Sequence, residues 1–235
     1  VNLSQSDFGV VFDPGEPQDA LHGHVRFGLK AIKGAGDRAI AAIVEERESG
    51  KKRFSSLFDF CERVMARLAT QAATSAANGT GSGGTANLLN KTTLESLIKC
   101  GAMDSLHEPD GRSLRAAMTA SLESAMGSAQ KVAQDKAAGQ GGLCMGGGTE
   151  KAAPREGSLL AKATPWSESE TLAKEKEVLG FYVSSHPLEE WSAWTKVFVT
   201  AGCDASKALP HDSRVVLAGL VSSVRTLIVK TGRSA

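Results

Sequence analysis

The stretch that decides the fold is RFGLKAIKGAGDRAIAAIVEERESG, from Arg26 to Gly50. Gly34 and Gly36 flank a single alanine in a segment that otherwise keeps helical spacing, with Leu29 and Ile32 before them and Ile40, Ile43 and Val44 after. A glycine inside a helix costs roughly 1 kcal/mol relative to alanine, so two so close together mark a break. The segment reads as a helix ending near Ile32, a tight turn through Lys33-Gly34-Ala35-Gly36, and a second helix from about Asp37. Turn amides and the first amides of the second helix then face outward beside the positive end of its dipole, an arrangement that receives a phosphate. Lys33 and Arg38 bring charge to the same spot. The candidate phosphate-binding residues are therefore Lys33, Gly34, Ala35, Gly36 and Arg38. Such contacts hold a nucleic acid without reading its bases. The plainer alternative is a helical corner in which glycine is only a stop signal.

The rest of the chain sets bounds on that reading. Its 235 residues, 41% hydrophobic with a formal net charge of +1, suffice for one large domain or two small ones and exclude a globally basic coat. The balance hides an asymmetry: residues 1–21 carry Asp7, Asp13, Glu16 and Asp19 with no Lys or Arg, whereas residues 22–67 carry ten Lys/Arg against six Asp/Glu. A basic segment beside an acidic one points to a local anionic partner. The four cysteines, Cys61, Cys100, Cys144 and Cys203, form no CxxC pair, which argues against zinc and for free thiols in a reducing cytoplasm. No apolar run approaches the roughly 18 residues that span a bilayer. The chain opens at Val1 and closes on a β-rich stretch, and it reads as an internal piece of a longer protein.

Residues 1–24 are turn-rich, with Asp13-Pro14-Gly15 as a turn. After the first hairpin, Ser55-Ser56 are candidate caps for a helix carrying Leu57, Phe58, Phe60 and Cys61. Residues 69–87, ATQAATSAANGTGSGGTAN, hold no charge and read as a flexible insertion. Asn90 then caps a helix with an apolar stripe of Leu94, Leu97 and Ile98 that stops at Gly101, and a longer helix is expected over 111–138. The turn at Lys99-Cys100-Gly101 has one glycine and reads as a structural copy of the first hairpin. A glycine-rich stretch follows, and Ser167 to Glu170 fits a capping box. From Arg214, RVVLAGLVSSVRTLIVKTG is β-branched and reads as strands.

In this order the residues resemble a family. VRFGLKAIKGAGDRAIAAIVEERESGKKRFSSLFDFCERV, NKTTLESLIKCGAMDSL, EKEVLGFYVSSHPLEEW and VVLAGLVSSVRTLIVKTG are similar to the α subunit of bacterial DNA polymerase III, in the region after its fingers. The resemblance implies a mainly α fold: the end of the preceding region at 1–24, a tandem helix-hairpin-helix domain at 25–138, a linker at 139–165, a helical connector at 166–213, and from 214 the first strands of a truncated OB-type barrel that handles single-stranded template. It also implies a peptide for the sliding clamp, usually Gln, two variable residues, an aliphatic residue and Phe. The aligned residues are Gln140, Leu143 and Cys144, with Cys144 where Phe is expected. Burying Phe is worth about 1.5–3 kcal/mol, so either Met145 substitutes by a one-residue shift or the clamp contact is weak.

The partners implied are duplex primer-template DNA, the sliding clamp and other replicase subunits, with no membrane and a cytoplasmic, nucleoid-associated location. Polymerisation needs carboxylates holding two Mg2+ ions, and in this family they lie in the palm, upstream of these residues. No cofactor is expected in this chain, and by itself it is expected to be inactive. Two other readings stay open: a repair or recombination protein or nuclease using the same hairpin, and a helical scaffold that binds no DNA. His22 and His24 lack a third ligand and read as solvated or structural. Ser185-His186-Pro187 reads as a turn rather than a catalytic pair. KTGRS at Lys230–Ser234 lacks the phosphate-loop order, and Trp166, Trp191 and Trp194 read as packing residues.

Overall fold

A computed structural model describes residues 1–12, 14, 15, 17, 22–50, 52–77, 89–137, 159–202, 204–221 and 223–226. It divides into two compact units, Val1–Phe181 and Tyr182–Ala235. The first is mainly helical. A short antiparallel ladder, β1 (Gly9–Val11) on β2 (His24–Arg26), pairs Val10 with Val25. It precedes the helices α1 (Asp37–Gly50), α2 (Leu57–Ala77), α3 (Lys91–Lys99), α4 (Arg115–Ala137) and α5 (Glu168–Leu179).

The core of this unit is the sum of the apolar stripes: Ile40 and Ile43 from α1, Leu57, Phe60 and Val64 from α2, Leu94, Leu97 and Ile98 from α3, and Met118 and Leu122 from α4. Phe54 and Phe60 meet edge to face at 4.9 Å, and the Arg63 guanidinium lies 4.5 Å over the Phe54 ring. On the rim between α1 and α2, Arg63 reaches Glu46 at 3.2 Å and Arg67 reaches Glu45 at 3.3 Å. Burial pushes the Cys61 thiol up to about 12 and the Cys100 thiol to about 11, so both stay neutral and unreactive near neutral pH.

The expected start signals are built as read. Ser56 Oγ accepts the Asp59 amide at 3.1 Å, Asn90 Oδ1 accepts the Thr93 amide at 2.7 Å, and Ser167 and Glu170 close a reciprocal capping box. Other boundaries move. The helix expected before the first glycines is a single 3-10 turn, Leu29–Ala31, held by Leu29 and Lys30 amides donating to Gln5 and Ser6 carbonyls at 2.9 and 3.0 Å. The helix expected from 111 starts at Arg115, because Gly111 lies against the backbone of Asp104, where a Cβ would come within 1.9 Å of the carbonyl oxygen. Of the stretch read as a flexible insertion, residues 69–77 continue α2: alanine-rich sequence extends a helix already nucleated upstream at little cost.

The expected domain edges shift as well. Val1 and Asn2, expected to lie outside the helical domain, are buried in it; Asn2 Nδ2 donates to the Phe54 carbonyl at 3.0 Å and its Oδ1 accepts the Phe54 amide at 2.8 Å. Helix α5, expected in a connector, belongs to the same unit.

The second unit holds α6 (Ser192–Phe198) and a 3-10 turn at Ala205–Ala208. The described residues from 214 onward form no strand. Among the described residues there, extended pairing is limited to Thr200 and Val216, whose backbone amide-to-carbonyl bond measures 3.1 Å. His186 lies in a turn, its Nδ1 accepting the Leu188 amide at 3.2 Å. Of the tryptophans read as packing residues, Trp166 is half-buried under Lys174, whereas Trp191 and Trp194 are exposed. Helix α6 buries none of its residues, so these rings have no core to enter.

Candidate nucleic-acid interface

The hairpin at Lys33–Gly36 forms as a turn. Gly34 has φ +86°, a backbone angle that strains any residue with a Cβ, and a Cβ there would also come 3.1 Å from Ser96 Oγ. The turn is held from three sides. The Ala35 amide donates to the Ile32 carbonyl at 3.2 Å, Thr93 Oγ1 donates to the Gly34 carbonyl at 3.1 Å, and the Lys33 amide donates to the Val178 carbonyl near the end of α5 at 3.1 Å. The Gly34 and Gly36 amides have no partner among the described residues. In α1 the first intrahelical bond runs from the Ile40 amide to the Gly36 carbonyl at 3.1 Å, so the Asp37, Arg38 and Ala39 amides precede the helical ladder.

Lys33, Gly34, Gly36 and Arg38 are all exposed at this corner, and neither Lys33 nor Arg38 forms an ion pair among the described residues. Neighbouring Lys30 is paired instead with Asp7 at 3.3 Å. Two unpaired cations thus stand beside amides that have no partner, and the exposed Asp37 carboxylate in the first turn sets one opposite charge at the same corner. Sequence reasoning also assigned the Ala35 amide to this site. Ala35 instead closes the turn with that amide, which is taken by the Ile32 carbonyl.

The second hairpin, between α3 and α4, also turns on a left-handed glycine, but charged side chains cover it. Gly101 has φ +78°, and a Cβ there would come 2.2 Å from an Arg115 terminal nitrogen. The Arg115 side chain, 4% exposed, donates to Asp104 at 2.6 and 2.8 Å, to Glu175 at 2.9 Å and to the Lys99 carbonyl at 3.4 Å. Burial opposes its charge, yet the hydrogen bonds it donates to Asp104 and Glu175 outweigh that and raise its pKa. The guanidinium therefore lies directly against the Gly101 turn, whereas Gly34 in the first hairpin has only Ser96 and Thr92 side chains nearby.

Helix α5 is the part of the site that sequence reasoning missed. It backs the first hairpin through the Val178 carbonyl and the second through Glu175, and Glu177 accepts Lys99 at 3.0 Å. A signal for Arg115 did exist. It continues the buried stripe of Met118, Leu122, Ala125 and Ala129, a place where a cation needs a buried partner. Gln140, Leu143 and Cys144, the candidate clamp contacts, lie outside the described residues. Among the described residues, no group of three or more His, Cys, Asp or Glu side chains converges to hold a metal. No helix among them is long and apolar enough to cross a membrane.

A family model for the helix-hairpin-helix motif matches residues 1–81, which include the open hairpin. The chain is 39% identical over 213 residues to a DNA polymerase III subunit alpha of Neisseria meningitidis serogroup A, covering 90% of this chain and 15% of that protein. It is 35% identical over 242 residues to that of Deinococcus radiodurans and 34% identical over 230 residues to that of Thermus aquaticus, covering 99% and 95% of this chain. In each case it spans 15% of the relative's length. By a likeness that runs along nine-tenths or more of its length, the chain belongs to the DNA polymerase III subunit alpha family, as a stretch of a much longer protein.

Proposed function

We propose that this chain holds duplex DNA by its backbone, without sequence preference, through the hairpin at Lys33–Gly36, as part of a replicative polymerase. The observation that carries the reading is one exposed corner where the unpartnered Gly34 and Gly36 amides lie between two unpaired cations, Lys33 and Arg38. Neutral amides and mobile cations fit phosphodiester oxygens and carry no base code. The whole protein's activity is template-directed nucleotide transfer, with Mg2+ held by carboxylates outside this chain. The chain alone binds DNA and does no chemistry.

Clamp tethering through Gln140, Leu143 and Cys144 belongs to the same reading, supported by the spacing of Gln140 and Leu143 alone. So do an OB-type barrel begun by the β-branched residues after 214, contacts with other replicase subunits, and a cytoplasmic location at the nucleoid.

The test is fluorescence anisotropy of a labelled duplex titrated with the chain across a salt series, beside Lys33→Ala/Arg38→Ala. Wild-type affinity falls with salt, and the double variant binds more weakly with a log–log slope shallower by about two, one for each lost phosphate contact. Equal affinity and slope in the variant would remove the hairpin from the interface.

A further inference from the structure

Helix α3 meets the open hairpin with two neighbouring side chains that behave differently. Thr93 spends its hydroxyl on the Gly34 carbonyl at 3.1 Å. Ser96, one turn further on and only 7% exposed, keeps its hydroxyl unpartnered among the described residues. That hydroxyl faces the Gly34 backbone closely enough that a Cβ on Gly34 would lie 3.1 Å from it. The Ser96 hydroxyl is therefore a donor with no protein acceptor among them, in a residue that is otherwise nearly covered. Here it stands beside the hairpin, whose Gly34 and Gly36 amides also lack partners among the described residues.

We propose that the anion site is composite: a phosphodiester oxygen seated on the Gly34 and Gly36 amides also receives the Ser96 hydroxyl, donated from α3. Thr93 is the positioning residue. By holding the Gly34 carbonyl inward it turns an acceptor away from the anion and leaves only donors at its surface. Gly34 then serves two ends. It adopts the left-handed angle of the turn, and it leaves the Ser96 hydroxyl uncovered. The inference rests on the DNA-backbone reading of the hairpin and adds a ligand from a second helix.

A neutral donor releases no counterion, which separates its effect from that of Lys33 and Arg38. In the duplex anisotropy series, Ser96→Ala weakens binding about five- to tenfold at every salt concentration and leaves the log–log slope unchanged. Thr93→Val, which releases the turn, weakens binding further. Thermal melting of each variant separates loss of binding from loss of fold, and Ser96→Ala, which removes one unpartnered oxygen, melts at or above the wild-type temperature. Wild-type affinity in a folded Ser96→Ala chain would overturn the proposal while leaving the hairpin reading intact. A wild-type chain that does not bind duplex at low salt would instead overturn the hairpin reading itself.

Discussion

Replacing Arg115 by leucine destabilises the chain by about 3–5 kcal/mol, because it removes the nearest cation from the Glu175 carboxylate in the interior. The Glu175 side chain is 1% exposed, and Arg115 donates to it at 2.9 Å. Its other near cation, Arg112, stands at 4.0 Å and is 40% exposed. Asp104 loses a two-point contact in the same step, although its partial exposure lets water replace part of it. Urea denaturation followed by circular dichroism measures the loss. Arg115→Leu combined with Glu175→Leu recovers most of it, since removing both partners of a buried pair is far less costly than removing one. A single variant within about 1 kcal/mol of wild type would mean that water reaches the triad and that the second hairpin is not closed by it.

Phe60→Ala has an effect of similar size by another mechanism, about 3–5 kcal/mol from lost burial and a residual cavity. Phe60 is fully buried on α2, the helix that packs against both α1 and α4, and it makes the edge-to-face contact with Phe54. Phe54 in turn receives the Asn2 side chain through its amide and carbonyl. The cavity therefore loosens the N-terminal segment together with the helices. Urea unfolding of Phe60→Ala should show a lower midpoint with an unchanged slope, whereas Phe60→Leu, which refills much of the volume, loses less. A variant as stable as wild type would place the mechanical centre of the unit elsewhere.

What could be read in the sequence was local. The Gly-x-Gly break, the Asn90 cap and the Ser167 capping box each depend on residues within a few positions, and each forms as read. Distant partners were not legible. Nothing in the sequence around Lys33 announces that its amide is taken by Val178, or that Ala35 closes the turn rather than offering its amide. Composition also misled at residues 69–77. A charge-free Ala/Thr run has little core to bury, but alanine propagates a helix well once Phe60, Val64 and Leu68 have fixed the preceding turns. The β-branched run after Arg214 shows the converse: strand propensity describes a surface waiting for partners, and among the described residues only Val216 finds one, in Thr200.

On this reading the first hairpin is open to phosphate and the second is closed. The most direct measurement is amide chemical-shift perturbation, residue by residue, as the 15N-labelled chain is titrated with a short duplex at low salt. The Gly34, Gly36 and Arg38 amides should move together and saturate at one affinity, while Gly101, covered by Arg115, stays in place. Movement at Gly101 with Gly34 and Gly36 unmoved would contradict it.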